Sequence, residues 1–245
     1  MNFLDVFDQD LISSVLRSLI PILLAALGGM IADRAGVFNI GLEGMILVGA
    51  FAGVAASFFT HNWLIGVIVA MMAGALFSLI LGYGAVYRKG DPIVLAIAMN
   101  ILAVGMTSFL LVAMFKVQGS FQDPGIDSIP VWRIPVLADI PWIGALFALT
   151  PLGYLALLLV PALWIMRFRM PVGLRLRGVG ERPLAAATMG VNPQRYQLWA
   201  VVASGALAGL GGAQLALGTL VGFTAQMSAG RGWIAVARVM LARAH

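Results

Sequence analysis

Along this chain the apolar positions come in long unbroken runs rather than at the intervals of an amphipathic helix or a half-buried strand. Gly44 to Tyr87, Pro92 to Phe115, Ile140 to Met166 and Tyr196 to Gly230 contain no Asp, Glu, Lys or Arg. Such runs match the roughly 20 apolar residues that a helix needs to cross a bilayer. Buried strands of a soluble parallel sheet are also apolar, but they run for only about 4 to 8 residues. The pattern predicts spanning helices at 11–32, 44–60, 64–87, 92–115, 142–166 and 198–222, followed by a short apolar tail from Trp233 to Leu241. The expected fold is therefore all-α: a polytopic transmembrane helix bundle of about six spans plus a partial seventh, with residues 1–245 forming a single transmembrane domain.

Composition strengthens this reading, since a chain that is 61% hydrophobic and 10% charged cannot cover a water-facing surface with polar groups. The start, MNFLDVFDQD, is acidic and lacks both a basic stretch and a small-residue cleavage pattern, so no cleaved signal peptide is expected. There is no Cys, hence no disulfide framework, thiol nucleophile or thiolate metal site. Basic residues fall on alternate loops: Arg34, then Arg88 and Lys89, then Arg167, Arg169, Arg175, Arg177, Arg182 and Arg195. These loops are expected to be cytoplasmic, which places the N-terminus outside together with His61 and the loop from Lys116 to Pro141. The net charge of +5 is then a topology signal, and no folded basic domain exists to bind nucleic acid.

The stretch between Arg167 and Gln197 is too long and too patterned for a simple turn. Pro183 suits the first position of a helix, Leu184 to Met189 are good helix formers, and Gly190 suits the left-handed residue that closes one. Asn192 then offers an N-cap and Pro193 a first helical residue for the next span. The pattern predicts a short cytoplasmic helix held between two spans. On charge alone the same stretch reads as a basic connector anchored by anionic lipid.

Three segments carry a resemblance: AGVFNIGLEGMILVGAF at Ala35 to Phe51, GLRLRGVGERPLAAATMGVNPQRYQ at Gly173 to Gln197, and SGALAGLGGAQLALG at Ser204 to Gly218 followed by SAGRGWIAVA. Over nearly its whole length the chain resembles the membrane-spanning permease subunits of ABC importers, in the branch that handles simple sugars such as ribose and nucleosides. The second segment looks like that family's coupling loop (167–197 here), whose short helix sits in a cleft of the ATP-hydrolysing subunit. By the resemblance, Gly180, Glu181, Pro183, Ala186, Gly190 and Val191 hold the motif positions, with Arg182 where the family often has Asn. Ala185, Ala186 and Ala187 give a small face able to enter a partner's groove. Glu181, near the expected helix start, would favour the helix dipole, either as an ordinary cap or by pairing with a basic residue of the partner.

The first segment resembles the family's glycine-rich motif. Gly36, Gly41 and Gly44 break helical regularity near the membrane face, with Asn39 and Glu43 beside the break. Discontinuous helices of this kind build transporter substrate sites, because freed backbone groups need a cavity or a ligand. The alternative is that Asp33, Arg34 and Glu43 lie hydrated in an interfacial loop. Asn100 and Gln214 are lone amides in apolar spans; each either faces a sugar or nucleoside or makes an interhelical hydrogen bond on the order of 1 kcal/mol. Asn39, Gly41, Glu43, Asn100 and Gln214 are thus the candidate substrate-pathway residues. Gly205, Gly209 and Gly212 read as close helix packing.

No GxxxxGK[ST] phosphate loop is present, and His61 and His245 form neither a catalytic dyad nor a metal cluster. No enzymatic activity, catalytic residue, metal or cofactor is expected; ATP would be used by a partner. The resemblance implies a permease subunit of the bacterial inner membrane that forms the pathway for a simple sugar or nucleoside by alternating access. It further implies an ABC ATPase subunit, a second permease subunit as homo- or heterodimer, and an extracytoplasmic substrate-binding protein as partners, besides membrane lipid. Family members continue past GRGWIAVA with further helices, so the C-terminal helices are expected to be missing. A secondary transporter or channel is the rival from another class, and a truncated, non-functional remnant is a third reading.

Overall fold

The computed structural model describes residues 9–133 and 147–243. Nine helices are described: α1 Gln9–Arg34, α2 Leu42–Thr60, α3 Trp63–Gly82, α4 Pro92–Phe115, α5 Pro151–Arg169, α6 Pro171–Glu181, α7 Pro183–Thr188, α8 Pro193–Ala213 and α9 Arg231–Arg243. A wider π-helical turn continues α3 over Tyr83–Tyr87 and α8 over Gln214–Thr219. Local chemistry fixes several starts. Asp91, Thr150 and Asn192 each accept a backbone N–H of the first turn, and each is followed by a proline whose missing N–H would have had no helical partner. Left-handed His61 (φ 47°) and Lys116 (φ 58°) close α2 and α4.

Six helical stretches, 13–34, 42–60, 63–87, 92–115, 151–169 and 193–219, are long and apolar enough to cross a membrane. The chain is a multi-pass membrane protein built as a polytopic helical bundle. At 13 residues, α9 reaches only ~20 Å at 1.5 Å per residue, short of the hydrocarbon thickness.

The bundle is organised around α2 and α8, whose apolar stretches are 72% and 78% buried, whereas those of α4 and α5 are 22% buried. Small residues make this axis possible. Gly209 packs against Ala70 and Gly49, Gly205 against Gly74 and Ser78, and Gly212 against Ile46. A Cβ on Gly49 would stand 2.5 Å from the Cα of Gly209, a separation that would force the backbones apart. Without a hydrophobic drive between helices in lipid, such close backbone approach supplies the van der Waals attraction. The outward faces of α3, α4 and α5 are correspondingly apolar, with Leu76, Val94, Phe109 and Leu158 all exposed.

Arg34, Arg88, Lys89, Arg167, Arg175, Arg177 and Arg195 gather at one end of the bundle. At the other end, β1 (Ser120–Phe121) pairs antiparallel with β4 (Phe223–Thr224), and β2 (Trp132–Arg133) with β3 (Ala148–Leu149). Aromatic contacts lock the first pair: Phe115 stacks on Phe121 at 4.0 Å between centroids, and Phe223 meets Phe51 edge-on at 5.3 Å.

Three sequence expectations need correction. Asp33 and Arg34 are not in a hydrated loop; they form the last turn of α1, and Asp33 is 5% exposed. The chain turns only at Gly36, whose φ of +83° suits glycine. Second, the 167–197 stretch holds two helices, because α6 precedes α7. Two of its glycines are contact points rather than breakers: Gly180 packs on the Arg34 carbonyl and Gly173 on that of Met166. Third, the fifth span begins at Pro151 among the described residues, while 142–146 lie outside them.

Replacing Gly49 by Val should separate α2 from α8 and lower the thermal unfolding midpoint of the detergent-solubilised protein, at about 1–3 kcal/mol or more for overpacking. Gly178→Ala, where an added Cβ meets nothing within 4 Å, should be neutral or stabilise α6 by about 0.5–1 kcal/mol. An unchanged midpoint for Gly49→Val would contradict the glycine-built axis.

Candidate functional site

Between α1 and α2 the chain re-enters the bundle, and its polar groups are consumed one by one. Asn39, buried, accepts the Gly41 N–H at 2.9 Å and donates to Ser204 Oγ at 2.9 Å. Gly41 caps α2, and its carbonyl accepts the Met45 N–H. Asn100 of α4 accepts from Gly44 N–H at 2.8 Å and donates to the Ile40 carbonyl at 3.2 Å. Asn100 lies eight residues beyond Pro92, so this knot sits ~12 Å inside the basic end along α4.

Glu43 ties the knot to a second discontinuity. After pairing with Ser120 at the far end, Thr224 leads back into the bundle, and α9 begins beside α2. Glu43 Oε1 accepts the Gly230 N–H at 2.8 Å and Oε2 accepts the Gly232 N–H at 2.6 Å. A carboxylate at a helix N-terminus satisfies donors that have no intrahelical partner and meets the favourable end of the helix dipole. The segment it holds is strained, since Gln226 (φ 60°) and Ala229 (φ 44°) are both left-handed non-glycine residues. Backbone of that kind persists only where its surroundings over-determine it, which is typical of ligand clamps.

Next to this clamp opens a cavity of about 600 Å³ whose walls include Glu43, Asn100, Gly105, Gln226, Ser228 and Trp233. Of the sequence candidates, the structure brings Glu43 and Asn100 to this cavity. Asn39 and Gly41 lie beside it in the α1–α2 turn, where they shape the backbone. Gln214 is elsewhere: fully buried, it accepts from Thr150 Oγ1 at 2.8 Å, and its Nε2 has no partner. The sequence reading missed Gln226, Ser228 and Trp233. The signal was the pair of glycines in SAGRG, both of which supply N–H groups or space to Glu43.

A separate exposed element stands at the basic end. α7 has no buried residue; its Leu184 is 85% exposed and Met189, which caps it, 83%. Pro183 takes the first helical turn, the Val191 N–H closes on the Ala186 carbonyl, and Gly190 has φ +80°. Asn192 caps α8. Arg182 joins α6 to α7. Glu181 departs from expectation: it ends α6 rather than starting α7, and pairs with Arg177 one turn earlier at 2.8 Å. That guanidinium holds the Glu181 carboxyl below its ordinary value. The small support the pair gives α6 is thus present above the usual carboxylate range and fades as pH falls through the depressed value.

A family profile described as "Branched-chain amino acid transport system / permease component" matches residues 11–245. The chain is 38% identical over 237 residues to the guanosine ABC transporter permease protein NupQ of Bacillus subtilis, covering 92% of this chain and 72% of that protein. It is 34% identical over 242 residues to the putative glucose ABC transporter permease protein TsgC13 of Haloferax volcanii (97% and 71%). With the nucleoside ABC transporter permease protein NupC of Lactococcus lactis it shares 33% identity over 244 residues (96% and 76%).

Glu43→Gln replaces one acceptor by a donor facing a backbone N–H, and Glu43→Ala removes both. Each should lower stability by about 1.5–3 kcal/mol, the scale for hydrogen bonds to a charged group, read as a drop in the unfolding midpoint. A midpoint unmoved by either change would mean that the carboxylate does not hold α9.

Proposed function

This chain belongs to the branched-chain amino acid transport system permease family, and from that premise we propose that it is the membrane-spanning subunit of an ABC importer for a nucleoside or simple sugar. It works by alternating access, driven by a separate ABC ATPase. The observation that carries the reading is α7, a short helix with every residue outside the core, offered between two supporting helices. Apolar side chains as exposed as Leu184 and Met189 on an otherwise basic surface suit a protein groove better than water.

The basic end faces the cytoplasm, following the positive-inside bias, and the N-terminus lies outside in the bacterial inner membrane. There Gly180, Glu181, Arg182, Pro183, Ala186, Gly190 and Val191 form the coupling element, α7 entering the ATPase cleft while α6 braces it against α1. A second permease subunit completes the pathway, and a binding protein outside delivers the solute. ATP is bound by the partner alone, so this chain needs no cofactor of its own.

The cavity's chemistry favours a neutral polar solute. Its amide and hydroxyl groups, from Asn100, Gln226 and Ser228, match sugar hydroxyls or base edges, and Trp233 offers an aromatic face. Among the described residues no Lys or Arg lines the cavity to pair with a solute carboxylate. Glu43, the one charged wall residue among those described, is occupied by two backbone N–H groups. The named nucleoside and glucose relatives point the same way.

Two measurements test the reading. Leu184→Arg and Gly190→Arg should each abolish co-purification with the system's ATPase subunit while membrane insertion stays intact; retained complex in both would remove α7 from the interface. Gly105→Leu projects into open cavity space, since nothing lies within 4 Å of an added Cβ. It should cut nucleoside uptake about tenfold or more, the loss expected when roughly 1.4 kcal/mol of site binding is removed, with the ATPase complex unaffected. Undiminished uptake would place the pathway elsewhere.

A further inference from the structure

At the basic end, α1, α5 and α6 converge on a narrow cleft lined by Arg34, Arg167 and Arg177. Arg177 is engaged by Glu181. The other two are not served equally well: Nε of Arg34 and Nε of Arg167 are each buried without a hydrogen-bond partner. Buried donors without partners are uncommon, and two on like-charged groups in one cleft call for an anionic acceptor. The cleft itself measures about 20 Å³, room for a single oxygen-sized group.

The cleft does not end there. Ile31, Met166 and Leu176 line it and also line a wider groove of about 470 Å³, which Val172 of α6 and Trp199 and Ala203 of α8 complete. Arg195 and Tyr196 stand at the rim of that groove, and Trp199 is 70% exposed. The arrangement is amphipathic in one direction: guanidiniums at a closed end, then an apolar trough opening outward, with aromatic residues of the type that sit at headgroup level. A free phosphate would use only the closed end. A phosphodiester carrying an acyl chain uses both.

We propose that this cleft and groove bind one anionic phospholipid, one oxygen of its phosphate entering the cleft between Arg34 and Arg167 and an acyl chain lying along Leu176, Trp199 and Ala203. The lipid bridges α1, α5, α6 and α8, which together form the root from which α7 projects. Its effect is to stiffen that root. The site is independent of the ATPase reading, because it rests on the two unpartnered Nε–H groups and the groove alone.

The test uses the full chain reconstituted in equal amounts of phosphatidylglycerol and phosphatidylcholine, with retained lipid counted by native mass spectrometry. Wild type should retain phosphatidylglycerol in preference. Arg34→Gln with Arg167→Gln should lower that preference about tenfold or more, in line with roughly 1 kcal/mol per basic residue near an anionic surface. Arg88→Gln with Lys89→Gln, on the same face but outside the cleft, should leave it unchanged. Ala203→Trp fills the groove with both guanidiniums intact and should also expel the lipid; it decides the matter if the arginine pair misfolds. Absence of preference in wild type, or equal loss in the Arg88/Lys89 control, would overturn the proposal. So would displacement by millimolar inorganic phosphate together with an unaffected Ala203→Trp variant, which would assign the cleft to a free anion.

Discussion

The arrangement depends on how two interrupted helices are kept from leaving bare backbone inside a membrane. Lipid offers no hydrogen bonds, so a break is tolerated only where the freed groups find partners or line a water-filled cavity. The carboxylate of Glu43 meets that condition at the break before α9. It stands in the first turn of α2 and receives the N–H groups of Gly230 and Gly232 at the start of α9. Asn39 and Asn100 complete the job for the α1–α2 turn, so a cluster of polar side chains is spent mainly on backbone. What remains unspent faces the cavity.

The close contact of α2 and α8 sets where that cavity lies. Glycines let the two helices touch along their backbones, which fills one side of the bundle and pushes α4 and α5 to the periphery. α4 then has two characters: an apolar outward face, and an inward edge where Asn100 and Gly105 meet the re-entrant segment. The strain stored at Gln226 and Ala229 is held by the same carboxylate that holds α9. Binding chemistry and packing are therefore not separable at this point of the fold.

How much of this was legible in the sequence differs by feature. Span number, the cap-proline start at Asn192 and the short helix closed by Gly190 follow from local rules that lipid does not override. The α6 helix was not legible, because glycines that normally disfavour a helix are here the contacts that let it approach Arg34. Asp33 was misplaced for a related reason: charge suggested water, whereas the helix simply continued to Gly36. The partners of Glu43 and Gln214 lie far along the chain, and no local pattern marks them. Glu43 and Asn100 stood out as polar residues in apolar surroundings, but only the tertiary structure shows that one cavity joins them and another place holds Gln214.

The separation of Glu43 from Gly230, 187 residues, also bears on the order in which the protein is made. At the usual pace of synthesis, ~5–20 residues per second, the carboxylate enters the membrane roughly 10–40 s before its backbone donors exist. During that interval α1 to α8 can insert, yet the carboxylate in the first turn of α2 lacks the two N–H groups that it accepts from in the finished fold. The carboxylate stays without these two donors until α9 is made. A helix synthesised late thus supplies the hydrogen bonds that a side chain in the first turn of α2 waits for.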